Sequence, residues 1–185
     1  MKKLFLLSLL TSIFALSHVI VNAEHVSIDT FSKGPHPMNQ HQCARLEDIF
    51  TQNYKDICLA PVNLKHQKFI EHVVNTKNTL SILSDAHKNI LGFITYKVDE
   101  TNFNSMNIEL LAIDKKHQKM GYGSTLLEYA TESARKQGIE RMNLLALSQT
   151  LGFYNKHGFK PIKNFDYPLK DENRSVTIYK LEKMV

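Results

Sequence analysis

The chain has 185 residues, of which 43% are hydrophobic and 22% are charged, a composition typical of a globular protein with a hydrophobic core. Its formal net charge is +5 and its basic residues are scattered, which argues against a nucleic-acid-binding surface. The nine histidines and two cysteines match no compact metal-ligand spacing, so we predict no metal site.

The N-terminus is typical of a targeting segment. Lys2 and Lys3 precede an almost wholly apolar run at 4–21, and Ala23 ends a stretch of small or short residues. We predict a signal peptide over residues 1–23 and one domain over residues 24–185. An uncleaved anchor is the alternative, because the apolar run approaches the length that spans a bilayer. Serine and threonine residues dilute that run, which favours cleavage.

Hydrophobic periodicity predicts strands alternating with helices. Val26 and Ile28 indicate a first strand, and helical stretches at about 38–54 and 64–74 flank Pro61. Further strands are predicted at 80–83, 90–98, 106–113, 142–147 and 176–181, a hairpin turn at 85–89, helices at 121–137 and 151–157, and an exposed loop between the last two strands at 166–175.

Cys43 and Cys58 are the two cysteines of the chain. In an exported protein they would be able to form one disulfide, and two buried thiols are the equal alternative. Neither is close in sequence to the motifs described next, so we predict no thiol nucleophile.

The strand predicted at 106–113 leads into a glycine-bearing turn that opens a helix. The turn reads Gln118-Lys119-Met120-Gly121-Tyr122-Gly123-Ser124. The first backbone N–H groups of a helix lack internal partners and carry partial positive charge, so such a turn is suited to holding a phosphate. Gly121 and Gly123 have no Cβ atoms, which lets the backbone approach an anion closely.

Two motifs together resemble the GNAT superfamily of acetyltransferases. The strand end at Ile113, four residues, Gln118, two residues, Gly121 and Gly123 are similar to the acetyl-CoA pyrophosphate loop of that family. About thirty residues further on, the segment 152–159 resembles the family's F-Y-x-K-x-G-F helix end. The resemblance implies an α/β fold of the α+β type, with a mixed, mostly antiparallel central sheet flanked by helices. It also implies acetyl-CoA as cosubstrate.

The resemblance assigns roles to particular residues. Backbone groups near Leu111 and Ile113 are expected to bind the pantetheine arm of the cofactor. Tyr154 resembles the general acid that protonates the departing coenzyme A thiolate, and a purely structural core aromatic is the alternative. The expected cradle for the pyrophosphate consists of Gln118, Lys119, Met120, Gly121, Tyr122, Gly123 and Ser124.

The general base is less closely matched to the family pattern. Glu109 is the one charged side chain in the run 108–113, a strand expected to be buried on both faces, where a carboxylate is costly without a partner or a task. Histone-type members carry their glutamate at the position of Asn107. Glu109 is therefore either the general base or the ion-pair partner of a nearby lysine or arginine. A water chain is the alternative base.

The predicted function is acetyl-CoA-dependent N-acetyl transfer to an amine of a protein or small molecule by direct attack. The alternative is a GNAT-shaped protein without turnover that binds an acyl-CoA or a protein partner. We predict export with no stable membrane association after signal cleavage. Because coenzyme A thioesters are scarce outside cells, the predicted place of action is a compartment that contains them, such as the cytoplasm of a host cell.

Overall fold

A computed structural model describes residues 19–21, 26–32, 38–54, 78–168 and 175–185. The predicted helix at 64–74 lies outside the described residues. The strands are β1 (Val19–Val21), β2 (Val26–Ser32), β3 (Thr79–Ser84), β4 (Ile90–Val98), β5 (Ser105–Ile113), β6 (Arg141–Leu147), β7 (Lys160–Pro168) and β8 (Ser175–Met184). The helices are α1 (Gln40–Tyr54), α2 (Tyr122–Lys136) and α3 (Leu151–Lys156), and short 3-10 turns cover Lys115–His117 and Ser148–Thr150.

These strands form one sheet in the order β1-β2-β3-β4-β5-β6-β8-β7. Neighbouring strands are antiparallel except for β5 and β6, which run parallel. A parallel pair needs a crossover connection, and α2 provides it. The prediction of a mixed, mostly antiparallel sheet flanked by helices is therefore confirmed.

The helices cover the two faces of the sheet. One hydrophobic cluster joins α2 to the sheet through Leu126, Leu127 and Ala130, and it includes Phe159. The other cluster joins α1 to the opposite face, where Leu46 and Ile49 are fully buried. The apolar residues of α1 recur at helical spacing, which puts them on one face of the helix.

The central feature for function is the separation of β5 from β6. The two strands pair from Ser105 opposite Arg141 to Ile108 opposite Leu144. At the same level β5 carries an irregularity against β4, so that Glu109 has no cross-strand partner there. An extra residue of this kind bends a strand. From Glu109 to Ile113, β5 therefore has no described strand paired with it on the side of β6. This side, which lacks a strand partner in the described structure, is called the free edge of β5 below.

The N-terminal prediction is only partly covered by the described residues. Val19–Val21 form the edge strand β1, which pairs antiparallel with β2. Removal of residues 1–23 would take this strand away and leave β2 at the edge. Within the described parts of the chain, no helix has the length and hydrophobicity to cross a membrane.

The structure bears on the loop predicted at 166–175 and on one of the two cysteines. The loop predicted from residue 166 is wrong at its start, because Asp166 to Pro168 belong to β7 and pair with β8. Pro168 is tolerated there because β7 lies at the edge of the sheet and the proline ends the strand. Cys43 is a free thiol, and Cys58 lies outside the described residues.

Candidate active site

A cleft of about 640 Å³ lies where β5 and β6 separate. It is lined by the ends of both strands, the last turn of α1, and residues from α3 and β7. A smaller cleft of about 230 Å³ shares Leu145 with it and lies beside Asn107, Glu109, Asn143 and Lys180. Of the predicted site residues, Leu111, Gln118 and Tyr154 line the larger cleft, whereas Glu109 lines the smaller one.

Tyr154 combines core packing with access to the larger cleft. Its ring meets Phe153 and Phe159 edge-on, with centroids 5.0 and 5.9 Å away. The ring contacts agree with the interpretation as a core aromatic, and the role of general acid stays a prediction. Burial, with a contribution from nearby Tyr54, raises the pKa of Tyr154. The hydroxyl therefore stays protonated at neutral pH.

The free edge of β5 presents backbone groups of alternate residues to the cleft. The Tyr54 hydroxyl donates to the carbonyl oxygen of Leu111 at 2.9 Å, and the Leu111 N–H approaches the same hydroxyl at 3.4 Å. The Asn53 side-chain amide donates to the carbonyl oxygen of Ile113 at 3.0 Å. The Leu111 backbone therefore lies at the cleft and the Ile113 carbonyl is held by Asn53, and their role in binding the pantetheine arm stays a prediction. Asn53 and Tyr54 were not predicted, because only tertiary packing shows what the end of α1 contacts.

The glycine turn forms the start of α2. Gly121 is the N-cap residue with φ of 90°, and no side chain caps the helix. A Cβ on Gly121 would have no heavy atom within 4 Å, so the space beside it is open. At Gly123 a Cβ would lie 3.4 Å from the Phe153 ring, so this glycine permits close packing of α2 on α3. The uncapped first N–H groups of α2 border the open space and are suited to an anion.

Other side chains of the turn are divided between solvent and protein contacts. Lys119 and Met120 are exposed, and Lys119 also has a positive φ of 64°. Tyr122 packs against the core. Ser124 Oγ lies 2.9 Å from Nε2 of His157. Burial lowers the pKa of His157, so its imidazole is neutral at neutral pH and forms a hydrogen bond with the serine hydroxyl.

Gln118 fastens the turn to α1 and β5. Its side-chain amide donates to Asn53 Oδ1 at 3.0 Å and to the carbonyl oxygen of Ile113 at 3.3 Å. In the described structure the Gln118 side chain therefore orders the strand end, and its backbone leads into the glycine turn.

A buried carboxylate positions the loop between β5 and the glycine turn. Asp114 accepts hydrogen bonds from Arg45 of α1 and from the Lys116 N–H, and its Oδ2 lies 3.1 Å from His117 Nδ1. Burial by itself would raise the pKa of Asp114, but these hydrogen bonds and the Arg45 charge outweigh it and hold the pKa below the ordinary value. Asp114 was predicted only as one of the four residues between Ile113 and Gln118. Its position directly after a buried strand was nevertheless a signal that this carboxylate has a role in the site.

Glu109 is more exposed to solvent than the sequence predicts. It is partly exposed, so the expectation of a strand buried on both faces is wrong at this residue. The reason is that β6 has already left β5 at this level. The Glu109 carboxylate lies 3.1 Å from Nζ of Lys97, which is the ion pair that the sequence left open. Across the described residues no group of three or more potential metal ligands occurs.

Part of this chain is similar in sequence to a known family of domains. Residues 76–161 match the family model of the acetyltransferase (GNAT) domain. That segment contains the glycine turn, the separated strands and Tyr154. Residues 76–161, just under half of the chain, are therefore similar to a GNAT acetyltransferase domain.

Individual relatives are more distant. The mycothiol acetyltransferase of Jonesia denitrificans is 33% identical over 85 residues, which make up 43% of this chain and 27% of that protein. The matched region thus spans about a quarter of the length of that curated relative.

Solved structures share the fold. A GCN5-related N-acetyltransferase from Kribbella flavida superimposes with a TM-score of 0.69 at 9% identity, over 85% of this chain and 98% of that one. The ribosomal-protein-S18-alanine N-acetyltransferase from Escherichia coli gives 0.64 at 15% identity, over 85% and 93%. At these identities the likeness concerns the fold.

Proposed function

We propose that the protein is an acetyl-CoA-dependent N-acetyltransferase that transfers an acetyl group to an amine of a protein or small molecule by direct attack. One observation carries the proposal. The edge of β5 that lacks a described strand partner leads from the cleft lined by Tyr154 toward the uncapped start of α2 at Gly121, so a single extended ligand with a phosphate end would reach both.

The proposed binding mode uses mostly backbone groups. The pyrophosphate would lie on the N–H groups at the start of α2, with Lys119 exposed beside it. The pantetheine arm would hydrogen-bond to Leu111 and Ile113 as an added strand does, because β6 does not pair with them. The acyl group would then lie in the cleft between β5 and Tyr154.

In the proposed reaction the amine nitrogen attacks the thioester carbonyl carbon and the carbon–sulfur bond breaks. The sulfur takes a proton from the Tyr154 hydroxyl, which is protonated at neutral pH because its pKa is raised. The proton of the attacking amine passes to Glu109 or to a water in the cleft.

The nature of the amine determines how much help its deprotonation needs. A lysine amine with a pKa of about 10.4 is neutral in about one molecule in 2,500 at pH 7, which costs about 4.6 kcal/mol. An α-amine with a pKa near 8 costs about 1 kcal/mol. Glu109 is paired with Lys97, so an α-amine or another weakly basic acceptor suits the site best.

Acetyl-CoA binding to the full-length protein, measured by calorimetry, tests this proposal. Gly121→Ala and Gly138→Ala form a matched pair, since both glycines have positive φ, both flank α2, and neither has an atom near the added Cβ. Only Gly121 belongs to the proposed cradle. We expect Gly121→Ala to weaken binding at least tenfold and Gly138→Ala to change it less than twofold.

Two results would count against the cradle. Equal effects of the two substitutions would show that strain in α2, rather than contact with phosphate, controls affinity. A folded wild-type protein that gives no binding heat would overturn the cofactor assignment and favour a GNAT-shaped binding protein without turnover.

The place of action is part of the proposal. The signal-like N-terminus supports export to a compartment that contains acetyl-CoA, such as the cytoplasm of a host cell. Cell fractionation that finds only full-length cytoplasmic protein would refute export.

A further inference from the structure

The last three residues of α1 bind the free edge of β5 in a regular pattern. Two of their side chains contact the backbone of alternate residues of β5, which is the spacing at which one edge of a strand presents its hydrogen-bonding groups, and the third contacts the backbone just beyond the strand. Tyr54 Oη donates to Leu111 O at 2.9 Å, Asn53 Nδ2 donates to Ile113 O at 3.0 Å, and Gln52 Oε1 accepts from Lys115 N at 3.2 Å.

The end of α1 thereby substitutes for the strand that β6 no longer provides. Tyr54 contacts both backbone groups that a paired strand would contact at Leu111. Its hydroxyl donates to the carbonyl of Leu111 and also lies 3.4 Å from the N–H of the same residue. A peptide-like amide pairing with this edge would use the same donor and acceptor. The Tyr54 ring is held in place by stacking on Phe50, with centroids 4.9 Å apart.

We propose that Tyr54 competes with the acyl-CoA arm for the backbone of Leu111, so that displacement of its hydroxyl sets the affinity for the cofactor. This inference rests on the proposed function, which places the amide-bearing arm of acetyl-CoA on the same edge. Leu111 has one N–H, and its carbonyl faces Tyr54. The free and cofactor-bound proteins must therefore differ in the position of the Tyr54 hydroxyl.

The test is Tyr54→Phe in the full-length protein, which removes the competing hydroxyl and retains the ring on Phe50. We expect the variant to bind acetyl-CoA three- to tenfold more tightly, mainly through faster association, because no hydrogen bond to Leu111 must first be broken. Tyr129→Phe is the matched control, since its hydroxyl bonds to Thr30 at 2.8 Å and does not line the cleft. The control should leave the affinity unchanged.

Unchanged or weaker binding by Tyr54→Phe would overturn the competition. A purely structural role of the hydroxyl would lower the melting temperature without raising the association rate. Failure of the proposed function gives a different result, namely no binding by the folded wild type.

A second measurement does not depend on the folding of the variant. In wild-type protein labelled with ¹³C-tyrosine, saturation with acetyl-CoA should shift the ring signal of Tyr54. A Tyr54 signal that is unmoved at saturation would refute displacement even if the affinities agreed with it.

Discussion

Tyr154 is the residue at which packing and chemistry can be separated most cleanly. Its ring is fixed between Phe153 and Phe159, and its hydroxyl has no described hydrogen-bond partner within the protein. Tyr154→Phe therefore retains the packing and removes the proton donor. Because general acid catalysis typically contributes at least 100-fold, we expect kcat to fall by about 100-fold. Steady-state kinetics with thermal denaturation would measure this, and an unchanged kcat would exclude the acid role.

The raised pKa of Tyr154 predicts how the reaction rate depends on pH. The pKa of Tyr154 is raised above the ordinary value of about 10, so the wild-type rate should not decline through loss of this proton below about pH 10. A descending limb near neutral pH that is absent from Tyr154→Phe would contradict the raised pKa.

Glu109→Gln is the natural companion to that variant, because it removes a carboxylate and preserves the side-chain shape. If a cleft water takes the amine proton, kcat should change less than about threefold, since Glu109 is already paired with Lys97 at 3.1 Å. If Glu109 is the base, kcat should fall by about 100-fold. The same kinetic assay separates the two alternatives.

The residues predicted from sequence are those whose role depends on their local conformation. Gly121 was predicted because a turn that opens a helix often needs a residue without Cβ, and its φ of 90° agrees with that. Tyr54 and Arg45 were not predicted, because their contacts with Leu111 and Asp114 join residues more than fifty positions apart. Nothing in the local pattern around either residue indicates such a partner.

At the scale of elements, α1 is held against the loop after β5 by one buried ion pair. Arg45 contacts Asp114, whose side chain is 3% exposed, and also Asp48, whose side chain is 55% exposed. Asp114→Asn should lower the free energy of unfolding by about 3 kcal/mol at pH 7, since it removes the buried carboxylate and leaves the partly buried Arg45 guanidinium with the exposed Asp48 as its only described partner. Asp48→Asn should cost less than about 1 kcal/mol. Urea denaturation measures both.

The pH dependence distinguishes this ion pair from simple packing. Because the pKa of Asp114 is lowered in the folded protein, its contribution is fully present above about pH 4 and is lost as the pH falls through the folded value. The difference between wild type and Asp114→Asn should therefore shrink in denaturation experiments below pH 4. A difference that persists at low pH would indicate packing alone.

Element boundaries were predictable where one face of an element is buried. The limits of β4 were predicted to the residue, and those of α1 and β5 within two residues, because apolar periodicity and turn residues mark them. The irregularity at Glu109 was not predicted, since the run 108–113 is apolar on both sides of it. That irregularity accompanies the opening of the cleft, so the feature most important for function had the weakest sequence signal.

At the scale of the whole molecule, the order of elements was enough to predict the fold once the two motifs suggested the family. The parallel pairing of β5 with β6 needs a crossover connection, and the helix predicted between the two strands provides it. The acceptor was not predictable in the same way, because the side chains around the cleft come from α1, β6 and β7, which carry no shared motif.

The N-terminal boundary leads to a final prediction about the whole chain. If residues 1–23 are a signal peptide, the mature protein lacks β1, a three-residue strand that pairs only with β2 in the described structure. Because so short an edge strand adds little buried surface, the chain from Glu24 should melt within a few degrees of the full-length protein and bind acetyl-CoA within twofold. Differential scanning calorimetry and binding calorimetry on both chains measure this. A loss of more than about 10 °C would mean that β1 belongs to the folded domain and would count against cleavage after Ala23.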